Sequence, residues 1–417
     1  MRLTKLLTPG FDVDGRQVLV YIRSLQSRFQ SDSAKRFQLK ILQITSAQSL
    51  GGGERHLADL ANGFAGRGHE VYFALRPNSP LVGELKKAAR ENVTTLPLRN
   101  SLDVFSARKL SLLVRKNKIR IVHAHMARDY PLAAYTVRQN KEARLIITRH
   151  VLFPLNRLHL ITLSGAARII AVSQAVASQL RSDEIAPPET ISVVLNGIDT
   201  ARFAEARRQF SRVQFLQSWN LPGDSLLVGM VGELTPLKGQ AEFLQAAEKI
   251  VRRHPNVYFF IAGLDHSQGH KNRLALELLT EELKLKERVR LVGWLEDLAQ
   301  LYCALDVFVS ASHTESFGLA IAEAMASSAA VVATKTESAQ EIIRPGETGL
   351  LVPVREVDKL AEAVLELLDN KDTRVRMGVA AQQFAATQFS VERMIDETEA
   401  IYRAEIEKNS ANVTRKE

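Results

Sequence analysis

The chain has 417 residues, 46% of them hydrophobic and 24% charged, with a formal charge of +9. That balance excludes global disorder and supplies more core than one ordinary domain needs. No run approaches the roughly 18 apolar residues of a membrane span, and the single cysteine, Cys303, excludes an internal disulfide.

The basic charge suits an anionic ligand, an anionic membrane surface or nucleic acid. Aromatics make up only 6% and do not interleave with basic runs, which argues against nucleic acid. With no apolar leader segment at the N-terminus, a reducing, cytoplasmic setting is the expectation.

Residues 1–37 scatter their charges around a short apolar stretch at 18–22 and read as an N-terminal extension of unassigned structure. The regular pattern starts at residue 39. Residues 40–45 read as a strand, 55–66 as a helix and 71–75 as a strand, with further strands at 119–122, 144–148, 168–172 and 191–194. Short apolar strands separated by helices predict parallel βαβ units buried on both faces. The stretch 198–222 is polar, lacks a clear strand, and reads as the interdomain linker.

A second series of strands falls at 226–231, 258–262, 289–292, 306–310 and 330–333. Helices follow at 357–369, 373–389 and 390–407, and a polar tail at 408–417. The predicted fold class is α/β, with two facing Rossmann-like domains at 38–205 and 206–388, then residues 389–417 as a last helix and tail.

In open parallel sheets ligands bind beyond the carboxyl ends of the strands. After the first strand come Gly51, Gly52 and Gly53, which let the backbone pass close to a bound group. Neither G-x-G-x-x-G nor a Walker lysine is present, so NAD and P-loop readings lose support. His123-Ala124-His125 follows the strand at 119–122. Alternation puts both imidazoles on one side, but no third metal ligand lies nearby in sequence, and a structural role stays open, for His123 before His125.

After the first strand of the second series comes Gly232-Glu233-Leu234-Thr235-Pro236-Leu237-Lys238-Gly239. Lys238 would bring a flexible point charge to a diphosphate, and Gly232 would give backbone room. Glu315-Ser316-Phe317-Gly318-Leu319-Ala320-Ile321-Ala322-Glu323 spans a strand-to-helix turn. Its spacing puts one carboxylate in the turn and the other on the second helical turn, facing one crevice. The amides of Phe317, Gly318 and Leu319 are unpaired first-turn donors. Acids for hydroxyls and amides for phosphate describe a nucleotide-sugar site.

Two strings are discounted. Asp12-Val13-Asp14 precedes the first regular strand, and the acceptor-like strings at Asn92 and Asn412 carry no meaning in a cytosolic chain.

The E-x7-E spacing, the glycine loop, His123-Ala124-His125, Ala171-Val172-Ser173-Gln174 and Asn196-Gly197-Ile198-Asp199 together resemble the retaining GT-B glycosyltransferases of the family-4 type (glycosyl transferases group 1). The resemblance covers roughly residues 39–407 and is more specific in the second domain. It implies that the last helix crosses back to the N-terminal domain and that Gly52 and Gly53 lie near acceptor and phosphates. It implies that His125 sits in the cleft beside the donor sugar, that Glu315 holds sugar hydroxyls and Glu323 the ribose, and that Lys238 steadies the diphosphate. The family commonly writes Gly-Arg-Leu where this chain has Gly232-Glu233-Leu234, which weakens the assignment of a two-cation clamp and leaves Arg149 a candidate for a cation from elsewhere.

The implied activity is retaining, metal-independent transfer of a sugar from a nucleoside diphosphate donor to an acceptor hydroxyl, in polysaccharide, lipopolysaccharide or glycolipid synthesis. No cofactor and no metal are expected. The expected partners are a nucleotide-sugar, a glycan or lipid-linked acceptor and an anionic membrane surface, the inner face of the plasma membrane. The alternatives are a GT-B-fold sugar-nucleotide epimerase and a non-catalytic nucleotide-sugar scaffold, the latter prompted by Glu233.

Overall fold

The apolar strand segments are continuous rather than alternating because the inner strands are covered on both faces: Ile41, Leu42 and Ile44 are all fully buried. The computed structural model describes residues 38–155, 158–295 and 297–414. The N-terminal extension, with Asp12-Val13-Asp14, lies outside the described residues.

The first sheet has seven parallel strands: β1 (Lys40–Thr45), β2 (Glu70–Leu75), β3 (Val93–Thr95), β4 (Ile121–Ala124), β5 (Arg144–Arg149), β6 (Arg168–Ala171) and β7 (Ile191–Val193). Their order is β3-β2-β1-β4-β5-β6-β7. Helix α1 (Gly52–Gly66) follows β1, and helix α2 (Val104–Asn117) follows β3.

The second sheet has six: β8 (Leu226–Val231), β9 (Val257–Ala262), β10 (Val289–Val292), β11 (Val307–Ser310), β12 (Ala330–Thr334) and β13 (Leu350–Val352). They run β10-β9-β8-β11-β12-β13. Helix α3 (Gln240–Arg253) follows β8 and α4 (Leu319–Ala326) follows β11; α5 (Lys371–Gln388) and α6 (Val391–Thr414) close the chain. In each sheet the strand order reverses beside the first strand, between β1 and β4 and between β8 and β11. Those two switch points open the crevices in which open α/β sheets hold ligands.

Two edge strands, β3 and β13, are three residues long, too short for periodicity to reveal. The stretch 198–222 is not irregular. It forms the helices Thr200–Gln209 and Arg212–Ser218, capped by Asp199 and Ser211, whose side chains accept from the amides of Arg202 and Gln214. Both helices pack on the second domain: the Arg212 guanidinium is 2.6 Å from Asp306 Oδ2, and Trp219 meets Phe260 edge-on at 5.1 Å.

Helix α6 returns to the first domain, as the family resemblance implied. Tyr402 stacks on Phe64 at 5.2 Å, and its hydroxyl lies 2.5 Å from His123 Nδ1. Met394, Ile395 and Tyr402 join the apolar cluster between α1 and the first sheet. Outgoing and returning chains cross side by side, with Ile198 N donating to Phe389 O at 2.7 Å and Val391 N to Ile198 O at 3.2 Å. A Cβ on Gly197 would lie 2.7 Å from Val391 Cα, so the two connections touch through backbone.

Candidate active site

The carboxyl ends of the two sheets face each other across a cleft of about 880 Å³, within the usual size of a small-molecule site. The second domain's wall begins after β8. A single 3₁₀ turn, Pro236–Lys238, ends at Gly239 with φ +72°. A side chain at Gly239 would meet the Ala311 carbonyl oxygen at 2.0 Å, so only glycine lets this turn press against the strand-end after β11.

That approach brings Lys238 Nζ to 2.6 Å from Glu315 Oε2. Ser312 Oγ donates to the same oxygen at 3.3 Å. The Glu315 backbone is fixed in turn, with Ser338 Oγ donating to its carbonyl at 2.7 Å. The pair is partly exposed, at 29% and 16% of the two side chains, so a ligand reaches it from the cleft.

Gly318 caps α4 with φ +102°, which aims the first-turn amides of the helix outward. Among the described residues, no hydrogen bond engages the amides of Phe317, Gly318 or Leu319. The Phe317 ring is buried against Phe389, which anchors this turn from behind. One turn on, Glu323 Oε2 accepts from the Tyr302 hydroxyl at 2.8 Å, and Oε1 lies 3.5 Å from Arg55 Nη1. Burial raises the Glu323 carboxyl above the usual carboxylate range, and Arg55 and Tyr302 oppose that rise.

The first domain's wall begins with Gly51, Gly52 and Gly53. A Cβ on Gly52 would lie 2.7 Å from Leu319 Cδ1, so the glycine loop sits directly opposite the α4 amides. Beneath it are His56, His125 and His150. Burial lowers the first to about 4 and the other two well below the usual imidazole value, so all three are neutral at pH 7. The domains also clasp here: Ser173 Oγ donates to the Ser316 carbonyl at 2.5 Å, and Glu341 accepts from the Gln174 amide at 2.9 Å.

The cleft wall thus includes Gly52, Gly53, Gly232, Lys238, Glu315, Phe317, Gly318, Leu319 and Glu323. Two residues singled out from the sequence lie elsewhere. His125 is 6% exposed and set behind His150, with Nδ1 3.2 Å from His150 Nε2 and Nε2 2.8 Å from Gln43 Oε1; it is His150 that reaches the cleft. Arg149 turns away, donating to the Phe153 carbonyl. The cation that does enter is Arg55, whose guanidinium also lies 5.8 Å from the Trp294 ring centroid.

Sequence reasoning passed over Arg55, Trp294 and His150, although each follows a strand end: Arg55 stands in the first turn of the helix after β1, His150 comes next after β5, and Trp294 stands two residues past β10. The strand-end rule pointed at all three. Exposure marks Trp294 further, at 51% for a large aromatic in a concave wall. Glu233, in the family's arginine position, is exposed and lines the cleft.

Comparison with known proteins places a separate family on each domain. Residues 50–202 match the model described as "Glycosyltransferase Family 4", and residues 211–384 the one described as "Glycosyl transferases group 1". The chain is 33% identical over 218 residues to the D-inositol 3-phosphate glycosyltransferase of Corynebacterium urealyticum, a match that spans 51% of each protein. It is 25% identical to the N-acetyl-alpha-D-glucosaminyl L-malate synthase of Bacillus anthracis, across 86% of this chain and 95% of that one. Its fold is that of Anabaena HepE, solved in complex with UDP and glucose, at a TM-score of 0.78 and 21% identity, covering 88% of this chain and 100% of the other. One family model per lobe, two sheets meeting at their switch points and a last helix returning to the first lobe agree: the chain belongs to the GT-B glycosyltransferases of the group 1, family-4 type.

Proposed function

We propose that this chain is a retaining glycosyltransferase that moves a sugar from a nucleoside diphosphate donor to an acceptor hydroxyl, with no metal on the diphosphate. The observation that carries the reading is the Lys238–Glu315 pair beside the open α4 amides, facing the glycine loop. As the bond from the sugar's anomeric carbon to the diphosphate breaks, negative charge grows on the diphosphate and positive charge on the sugar ring. Preorganised amides and an ammonium stabilise that charge more in the transition state than in the bound donor. Lys238 and the amides of Phe317, Gly318 and Leu319 take the diphosphate, Glu315 the sugar hydroxyls and Glu323 the ribose.

Arg55 supplies the second cation that Glu233 cannot, and Trp294 offers a face for the base. The acceptor attacks from the side the diphosphate leaves, its proton passes to a departing phosphate oxygen, and no covalent enzyme intermediate forms. The UDP held by the structurally similar Anabaena protein supports a nucleoside diphosphate in this cleft.

The acceptor belongs to polysaccharide, lipopolysaccharide or glycolipid synthesis, at the cytoplasmic face of a membrane. On α2 and the turn before it, Leu102, Val104, Phe105 and Leu112 are more than half exposed beside the exposed Arg108, Lys109, Arg115 and Lys116. An apolar strip flanked by basic residues suits an anionic lipid surface. No helix among the described residues is long and apolar enough to cross a membrane.

Thermal shift against UDP, GDP, ADP and their sugars tests the donor, since a ligand at 100 times its Kd adds about 2.7 kcal/mol. Donor turnover is then followed with and without lipid-linked acceptors. Consumption that requires an acceptor and gives a product with the donor's anomeric configuration supports the reading. Altered free sugar released without acceptor indicates an epimerase, and tight binding without transfer a scaffold. Transfer that a chelator abolishes and Mg²⁺ or Mn²⁺ restores would put a metal on the diphosphate.

A further inference from the structure

We propose that His56, His125 and His150 form a site for a first-row divalent transition metal of the zinc class, built into the N-terminal wall of the cleft. One ring nitrogen from each lies within 4.8 Å of the others. His56 comes from the second turn of α1, His125 from just past β4 and His150 from just past β5, so the fold gathers three imidazoles that are 25 to 94 positions apart. His125 Nδ1 and His150 Nε2 are 3.2 Å apart. Two nitrogens sharing one tetrahedral ion at about 2.0–2.1 Å stand roughly 3.3 Å apart, so this pair is already at ligand spacing.

The hydrogen bonds around the rings point the same way. His56 Nδ1 lies 2.9 Å from Asn196 Oδ1, and His125 Nε2 lies 2.8 Å from Gln43 Oε1. Each amide oxygen accepts the proton of one ring nitrogen and leaves the lone pair of the other, His56 Nε2 and His125 Nδ1, facing the cluster. An amide or carboxylate oxygen behind a ligating imidazole is the arrangement that orients metal-bound histidines. His56 is only 3% exposed, yet its Nε2 has no hydrogen-bond partner among the described residues, an uncompensated buried acceptor that calls for an occupant.

His123, although its ring lies 4.2 Å from that of His125, is spoken for on both sides. Its nitrogens meet the Tyr402 hydroxyl and Thr148 Oγ1 at 2.5 and 2.7 Å. Its partners lie outside the cluster, whereas His125 Nδ1 and His150 Nε2 meet each other inside it and His56 Nε2 meets nothing among the described residues, so the geometry selects three of the four histidines. An all-imidazole set favours zinc, copper or nickel over magnesium or calcium, and three protein ligands leave one position for water or an anion. The ion sits across the cleft from Lys238 and Glu315 and is distinct from any metal on the diphosphate.

The test uses the full chain, stripped with a chelator and titrated with Co²⁺. The expected result is one equivalent bound with the visible absorption of a tetrahedral centre, displaced by Zn²⁺, whose filled d shell loses nothing in a tetrahedral set. His56→Gln and His150→Gln should each weaken binding by about 100-fold or more. Asn196→Ala, which keeps all three ligands, should weaken it about 10–100-fold, and this keeps the test readable if a ligand variant does not fold. His254→Gln, outside the cluster, should bind like the parent. A parent chain with no saturable one-equivalent site overturns the proposal, as does a cobalt spectrum that survives in both His56→Gln and His150→Gln.

Discussion

The two lobes offer the same pair of strand ends to the cleft and fill them with different chemistry. After β8 and β11 the second lobe places an ammonium, three carboxylates and open helix-start amides. After β1 and β4 the first lobe places a side-chain-free loop over neutral imidazoles, with Arg55 as its contribution of charge. In the proposed transfer, charge develops chiefly on the leaving diphosphate, which calls for one electrostatically preorganised wall. The opposite wall gains by staying small where the glycine loop faces the α4 amides, because it must leave room for an acceptor beside the donor.

If that division holds, the largest losses come from the second lobe. Lys238→Ala and Glu315→Gln should each lower kcat by about 10²–10³-fold, the usual cost of removing one preorganised group from developing charge, while the circular dichroism spectrum stays that of the parent. Initial rates with saturating donor measure this. An Arg55→Ala variant that loses more than either would reverse the assignment of the charged wall.

Next in size is Gly239→Ala. The methyl would sit 2.0 Å from the Ala311 carbonyl oxygen on a residue at φ +72°, and displacing a backbone held that way costs about 1–3 kcal/mol. Chemical denaturation should show that loss, together with a fall in kcat as Lys238 is carried off Glu315. Parental stability in the alanine variant would mean that the turn is not held against β11 as described.

How the two walls read in the sequence follows from how they are built. Lys238 and the run from Glu315 to Glu323 are each carried by one uninterrupted segment, so strand-end position and helical spacing were enough to mark them. Helix α6 was legible as a helix, and only the family resemblance said where it docks. His56, Arg55 and His150 become neighbours through the parallel pairing of β1, β4 and β5, a relation that no local pattern records. His125 was expected in the cleft, but the first ring to reach it belongs to His150, one strand over. The helices within 198–222 were masked by composition, because their buried faces are narrow and their arginines serve Cys303, Ala304 and Asp306.

A smaller effect probes the one place where the lobes share a charge. Glu323 of the second lobe faces Arg55 of the first at 3.5 Å. Glu323→Gln keeps the hydrogen bond from Tyr302 and removes the charge, so it should raise the donor KM about 10-fold with little change in kcat, the mark of uniform binding. Arg55→Ala should raise the donor KM as well and, as the second cation on the diphosphate, also lower kcat, by less than Lys238→Ala does, and the double variant should fall short of the sum if the two groups act as a pair. Strict additivity would make Arg55 an independent contact of the first lobe.

The smallest effect concerns the tail that ties the second lobe to the first. Burial alone would raise the Glu399 carboxyl, but Arg67 and Arg403, hydrogen-bonded to it at 2.8 and 2.5 Å, with His69 at 3.2 Å, hold it at about 2, against an ordinary value of 4.5. A depressed carboxylate stabilises the fold fully above its unfolded value and loses that contribution as the pH falls towards its folded one. Parent and Glu399→Gln should therefore differ in Tm by a constant amount, no more than roughly 2 °C in a chain this long, from pH 7 to about pH 4.5. The gap should then narrow to less than about half by pH 3. Scanning calorimetry of the two proteins across that range measures it. Since Arg67 and His69 belong to the first lobe and Glu399 to α6, a gap that ignores pH would mean that the returning helix is held by its apolar face on α1, with the ion pairs contributing nothing.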